Sequence, residues 1–122
     1  MNGVGIWFWV AFAGAAGAVV RFVVDGQVLA RTGGRLPWGT ALINLSGAFV
    51  LGLIAGSAPS HAFALIVGTG FLGAYTTFST WMLETLLLGE LGRTNAAVLN
   101  VAGQLAAGLA LAGLGFALGL QW

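Results

Sequence analysis

Cysteine and lysine are both absent from this chain, and histidine occurs once, at His61. Disulfides and thiolate metal sites are therefore excluded, and a histidine with no partner histidine argues against a zinc centre. Charge is scarce too: only 6% of the 122 residues are charged, and the net charge is +1. The four basic residues, Arg21, Arg31, Arg35 and Arg93, form no basic patch, so nucleic acid is not an expected partner. Neither a nucleophile–base pair nor a metal-ligating cluster is present, which argues against an enzyme. The first residues, MNGVGIWFWV, lack the basic stretch of a cleavable signal peptide and read as the start of a retained spanning helix.

Apolar surface is what the chain has in excess. Hydrophobic residues make up 59% of it, and mean hydropathy is +1.00. A soluble domain this small could not bury so much, because small domains bury the smallest share of their chain. The expected solvent is lipid, and the expected fold is an all-α integral membrane protein forming a single domain over 1–122. A span needs about 20 mostly apolar residues, and four runs qualify, near 4–29, 39–56, 62–89 and 95–120. Arg31 to Pro37 connects the first two, with Pro37 at a helix start; 57–61 and 90–94 form the other turns. Trp7, Trp9 and Trp122 suit the membrane interface.

Glycine is frequent, 21 of 122 residues, and it falls into stripes at four-residue spacing. Ala48, Gly52 and Gly56 line one face of the second helix, and Gly115 and Gly119 one face of the fourth. Such stripes let helices approach closely, within a subunit or between subunits. Four thin helices make a narrow bundle, so any polar path can equally lie between subunits; an oligomer is expected.

The third run carries the densest polar cluster, Gly68 to Ser79, GTGFLGAYTTFS, followed by Thr80. Interrupted helix at bilayer depth survives only where it is buried in protein or lines a polar cavity, so a functional break is predicted there. Asn44, with Thr40 and Ser46 nearby, is a mid-span carboxamide that needs partners, either an interhelical hydrogen bond or an anion facing its N–H groups. Asn100 and Gln104, four apart, share a face of the fourth helix and suggest a lined path. Arg21 and Asp25, also four apart, are expected to pair. Phe78 and Trp81 share a face beside the break, and the edge of an aromatic ring carries positive partial charge.

Three motifs then resemble the Fluc (CrcB) family of fluoride channels over nearly the full chain. They are Gly14-Ala-Ala-Gly17-Ala18-Val-Val-Arg21-Phe22; Gly39-Thr40 with Asn44-Leu-Ser-Gly47-Ala-Phe49; and Gly70-Phe71-Leu72-Gly73-Ala-Tyr-Thr76-Thr77-Phe78-Ser79-Thr80, followed by Glu84. The resemblance implies an antiparallel, dual-topology dimer of four-helix subunits enclosing two fluoride pores in the cell (plasma or inner) membrane. It makes Asn44 the pore asparagine, Phe78 and Trp81 the ring-edge aromatics, and Thr40, Ser79, Thr80, Asn100 and Gln104 further pore residues. Arg21 and Glu84 become vestibule charges, and the backbone carbonyls of Gly73 and Thr76 ligands of a structural sodium ion. The chain departs from the family pattern at Trp81, where phenylalanine is usual, and at Asn100 and Gln104, where tyrosine and serine are frequent. The implied activity is passive export of cytoplasmic fluoride.

Arg31, Arg35 and Arg93 all fall on one side of the predicted topology, with Arg21 nearest that side. The positive-inside rule then places both termini outside. That bias admits a second assembly, a heterodimer with an oppositely inserted homologue in which this chain is even a non-conducting subunit. A small proton-coupled multidrug exporter is the rival from another class; it needs a carboxylate within the first span, where only Asp25 stands near the end.

Overall fold

The computed structural model describes residues 2–122, and its elements follow one another as helices. Helix α1 (Gly3–Thr32) is capped by Asn2, whose Oδ1 accepts from the Gly5 N–H at 2.7 Å. It stops where Gly33 takes φ +78° and returns its N–H to the Leu29 carbonyl, a left-handed cap that glycine adopts without steric penalty. Helix α2 (Trp38–Ser57) starts after Pro37. The third span runs from His61 to Glu90 in two pieces. Its first piece, α3 (61–75), is one turn (His61–Phe63), a π-helical stretch (Ala64–Leu72) and a last turn (Gly73–Tyr75). Its second piece is α4 (Ser79–Glu90), and α5 (Thr94–Gly119) completes the fold.

Among the described residues, four helical segments are long and apolar enough to cross a membrane. The spans expected near 4–29, 39–56, 62–89 and 95–120 thus appear as Gly3–Thr32, Trp38–Ser57, His61–Glu90 and Thr94–Gly119. The chain is a multi-pass membrane protein. Its interior fits that solvent: among the described residues the buried hydrophobic ones are only Ile43, Ile54, Leu72, Leu88 and Ala97, while Phe8, Phe12, Phe22, Leu99 and Leu109 point outward. Burying apolar side chains gains nothing where the surroundings are hydrocarbon, so close backbone packing has to hold the helices together.

Glycine provides that packing. A Cβ on Gly52 or Gly56 would run into the Ala112 or Phe116 carbonyl of α5, and a Cβ on Gly115 or Gly119 into the Phe49 or Leu53 carbonyl of α2. The two small-residue stripes therefore interlock with each other inside one subunit. Helix α1 lies against α3 by the same device: Gly17 faces the Phe71 carbonyl, and a Cβ on Gly70 would stand 2.7 Å from the Val10 carbonyl.

The third span is broken, but not by its glycines. Gly68, Gly70 and Gly73 all lie within helix. The chain leaves the helix at Thr76, which is extended at φ −81°, ψ 159°. Any residue type can adopt that backbone conformation. Of the three, Gly70 is the one that α1 needs for its approach, and the interruption comes where side chains of α2 take up the backbone beyond Thr76.

Candidate functional site at the helix break

Three neighbouring residues of α2 receive the break. Asn44 Oδ1 accepts the Thr77 N–H at 2.8 Å, and its Nδ2 donates to the Thr77 carbonyl at 2.8 Å. Ser46 donates to the Ile43 carbonyl at 3.1 Å, so in its 2.9 Å contact with Tyr75 the phenol is the donor. Gly47 leaves room for the Thr76 methyl, which a Cβ there would strike. The Tyr75 ring also stacks on Phe71, centroids 6.0 Å apart.

The diversion of two amides decides the chemistry. In a continuing helix the Thr77 N–H would bond the Gly73 carbonyl and the Thr80 N–H the Thr76 carbonyl. Here the first goes to Asn44, and the second goes to Thr77 Oγ1 at 3.2 Å. The carbonyls of Gly73 and Thr76 thus lose their helical partners at the negative end of α3. Gly73 is exposed in the subunit. Neutral carbonyl oxygens of this kind suit a hard cation.

On the far side of the break α4 begins at Ser79, preceded by Phe78 at φ −88°, ψ −44°, and the Thr77 hydroxyl oxygen accepts the Thr80 amide of its first turn. A helix N-terminus carries orphan N–H groups and partial positive charge. Beside it, among the described residues, no hydrogen bond commits the hydroxyl protons of Thr77, Ser79 or Thr80, or the second N–H of Asn44. The Thr76 hydroxyl differs, donating to the Leu72 carbonyl at 2.9 Å.

Two cavities meet here. One of about 430 Å³ is lined by Asn44, Thr76, Thr77, Phe78, Trp81 and Gln104 among others. The other, about 180 Å³, is lined by Arg21, Phe22, Asp25, Thr40, Ile43, Thr77 and Thr80. Thr77 belongs to both walls. Phe78 is 71% exposed and meets Trp81 in a T-shaped pair with centroids 6.0 Å apart. Toward the α1–α2 loop that carries Arg35, Asp25 and Glu84 line a third, open cavity of about 300 Å³.

Several predicted site residues already have partners. Thr40, 2% exposed, donates its hydroxyl to Glu84 Oε1. The Trp81 indole N–H donates to the Asn100 carbonyl at 2.8 Å. Asn100 Nδ2 donates to Thr85 Oγ1 at 2.9 Å, Thr85 donates to the Trp81 carbonyl at 2.9 Å, and Gln104 Nε2 donates to Asn100 Oδ1 at 2.7 Å. Asn100 and Gln104 are 8% and 9% exposed, so this ladder bolts α4 to α5. It ends at Gln104 Oε1, which is buried without a partner. The pairing expected of Arg21 with Asp25 is not formed among the described residues; the Asp25 carboxylate packs on Gly39 instead.

Sequence reasoning named Thr77 within the hydroxyl cluster and the motif but gave it no site role, although the site turns on it. Its signal was the N-cap spacing to Thr80, three residues on. Thr85 was missed as well, though it stands four residues after Trp81 and so shares its face.

A family profile described as "CrcB-like protein, Camphor Resistance (CrcB)" matches residues 8–116. The chain is 50% identical over 115 residues to "Fluoride-specific ion channel FluC 2" of Mycolicibacterium paratuberculosis, covering 94% of each. It is 48% identical over 119 residues to the protein of the same name from Mycobacterium tuberculosis, covering 98% of this chain and 90% of the relative. With "Fluoride-specific ion channel FluC 1" of Symbiobacterium thermophilum it shares 42% over 119 residues, 93% of this chain and 96% of the relative.

Proposed function

Because the chain belongs to the CrcB-like family, we propose that it is a fluoride-selective channel, not an enzyme, through which cytoplasmic fluoride leaves the cell passively. The observation that carries this reading is the set of neutral donors left free around the break: the Thr77, Ser79 and Thr80 hydroxyls, one Asn44 N–H and the first amides of α4. Fluoride is small and strongly hydrated, so a pore has to replace its water with several weak donors and still let it go. Hydroxyls, a carboxamide and a helix N-terminus do so without the deep trap that a buried ammonium would make. Phe78, with its ring outward, and Trp81 form the aromatic wall of the path, and Arg21 raises the local anion concentration at its mouth.

The opposite end of the break is assigned to a cation. The Gly73 and Thr76 carbonyls would hold a structural sodium ion, whose charge would offset the negative end of α3. Two carbonyls leave a hard cation short of ligands, so the reading requires a second protomer bringing the same pair. The arrangement that gives this pairing is an antiparallel dimer with two pores, in the cell (plasma or inner) membrane.

A heterodimer with an oppositely inserted homologue is the second reading of the pair. Its support is the charge distribution: Arg93 Nη1 donates to the Arg35 carbonyl at 2.6 Å, so both arginine-bearing loops sit at one end, while 58–60 and both termini lie at the other without lysine or arginine. Such bias favours a single orientation.

Purified chain in liposomes tests the function. Fluoride should leave loaded vesicles far faster than chloride does, and faster than from empty vesicles; no fluoride flux from a folded, dimeric preparation removes the assignment for this chain alone. A dimer that forms only when the oppositely inserted homologue is present selects the heterodimer.

A further inference from the structure

Asn44 grips both polar groups of one residue. It takes the N–H of Thr77 on its carbonyl oxygen and gives an N–H to the carbonyl of Thr77, each at 2.8 Å. A strand neighbour does the same for an extended residue, exchanging both backbone bonds with it. The carboxamide therefore stands in for a strand at the middle of a helical span. Only one of its N–H groups remains for anything else.

The residues around it serve the same end. Ser46 holds the Tyr75 phenol, fixing the last turn before the break, and Gly47 admits the Thr76 side chain. Thr77 Oγ1 then caps the helix that follows. Nothing in the local backbone demands a break: Gly73 at φ −61°, ψ −35° is helical, and Thr76 takes an ordinary extended geometry. Without Asn44 the Thr77 N–H has an obvious partner, the Gly73 carbonyl one turn back.

We propose that Asn44 is a positioning residue: its two-point grip on Thr77 keeps the third span from closing into one continuous helix and so keeps the Gly73 carbonyl free. The role is separate from contact with the permeating ion, for which one N–H is left over. It rests on the channel reading only for its consequence in flux, not for the backbone geometry itself.

The test reads that geometry directly. In solid-state NMR spectra of threonine-labelled protein in liposomes, the Thr76 ¹³Cα and ¹³Cβ shifts distinguish extended from helical backbone. Wild type should show Thr76 extended, and Asn44→Ala should move it to helical or averaged values. Adding Thr77→Pro should restore the extended shifts. Proline has no N–H to give the Gly73 carbonyl, and it bars helical geometry in the residue before it. Fluoride flux should fall about tenfold or more in Asn44→Ala, as expected when a buried polar pair is lost, and stay low in the double variant, which lacks both the Asn44 N–H and the Thr77 hydroxyl of the donor set; the rescue is read in the shifts alone. Thr76 remaining extended in Asn44→Ala overturns the proposal, as does a Thr76 that stays helical in the double variant, since the Thr77 N–H would then not be what closes the helix. Should Asn44→Ala not fold, Asn44→Leu serves: nearly the same size, it offers the Thr77 N–H no acceptor and the Thr77 carbonyl no donor. Thr76 should again move to helical or averaged shifts, and extended shifts in this variant overturn the proposal. A wild-type chain with the expected shifts but no fluoride flux would sink the channel assignment and leave the role of Asn44 standing.

Discussion

The α2–α5 seam and the third span solve one problem in opposite ways. Both must bring helices together in a solvent where apolar burial contributes little. The seam does it with reciprocal glycines, Gly52 and Gly56 against Gly115 and Gly119, and nearly every backbone group there stays in its own helix. The third span gives up helical bonds at Thr76 to Phe78 and has them replaced by side chains of α2 and of its own cap. Exposed carbonyls at one side of that gap and exposed donors at the other are the result. The seam is built to be featureless, while the break is where this fold keeps unsatisfied polar groups of both signs. In hydrocarbon such groups persist only inside protein or along a polar path.

The sharpest way to break the comparison is to treat a seam glycine as replaceable. Gly52→Val drives side-chain atoms into the Ala112 carbonyl, which belongs to a helix backbone and cannot move aside. Overpacking of this kind costs about 1–3 kcal/mol or more, and loss of the monodisperse species on gel filtration is expected. A stable Gly52→Val protein would mean that the seam is looser than it looks.

Next comes a change that should spare the fold and stop the function. Phe78 is 71% exposed in the single chain, so Phe78→Ile has little packing to lose. Fluoride efflux should fall to the level of empty vesicles with the thermal unfolding midpoint nearly unchanged. Unaltered flux would place the path elsewhere.

Asn100→Leu falls between the two regions, because Asn100 joins α5 to the second half of the broken span through Thr85 and Gln104. Removing it strands the Gln104 amide, and buried unsatisfied groups cost about 1–3 kcal/mol each. Thermal unfolding should register that loss. Flux should fall less than in Phe78→Ile, since the donors of Asn100 are committed to the ladder.

The smallest effect is expected at Gly73→Ala. The new methyl meets nothing nearer than a carbonyl oxygen at 3.9 Å, in contrast to Gly52. Stability of the subunit should shift by under about 1 kcal/mol, slightly upward from helix propensity. If a second protomer covers this face, dimerisation in detergent weakens instead, and that separates subunit packing from assembly.

Legibility varied residue by residue. The small-residue stripes could be read from spacing, although only the structure showed that they lock α2 to α5 within one subunit. An interruption in the third span could be read from the density of hydroxyls after Tyr75, but its place could not: glycine is the usual suspect, and here Gly68, Gly70 and Gly73 are helical. Asn100 and Gln104 could be put on one face by their spacing. Which way that face points was hidden: Asn100 turns to Trp81 and Thr85, and Gln104 to Asn100. Periodicity tells which residues stand together, not what stands opposite.

The solvent, the number of spans and the all-helical class were settled by the sequence, because each is a sum over about 20 residues in which single errors cancel. Where the third helix stops was settled only by the tertiary structure. The deciding bonds run from Asn44 to Thr77, 33 residues apart along the chain. Whether an amide bonds its own helix or a neighbour's side chain depends on a few tenths of an ångström of approach, and only the packed helices set that distance.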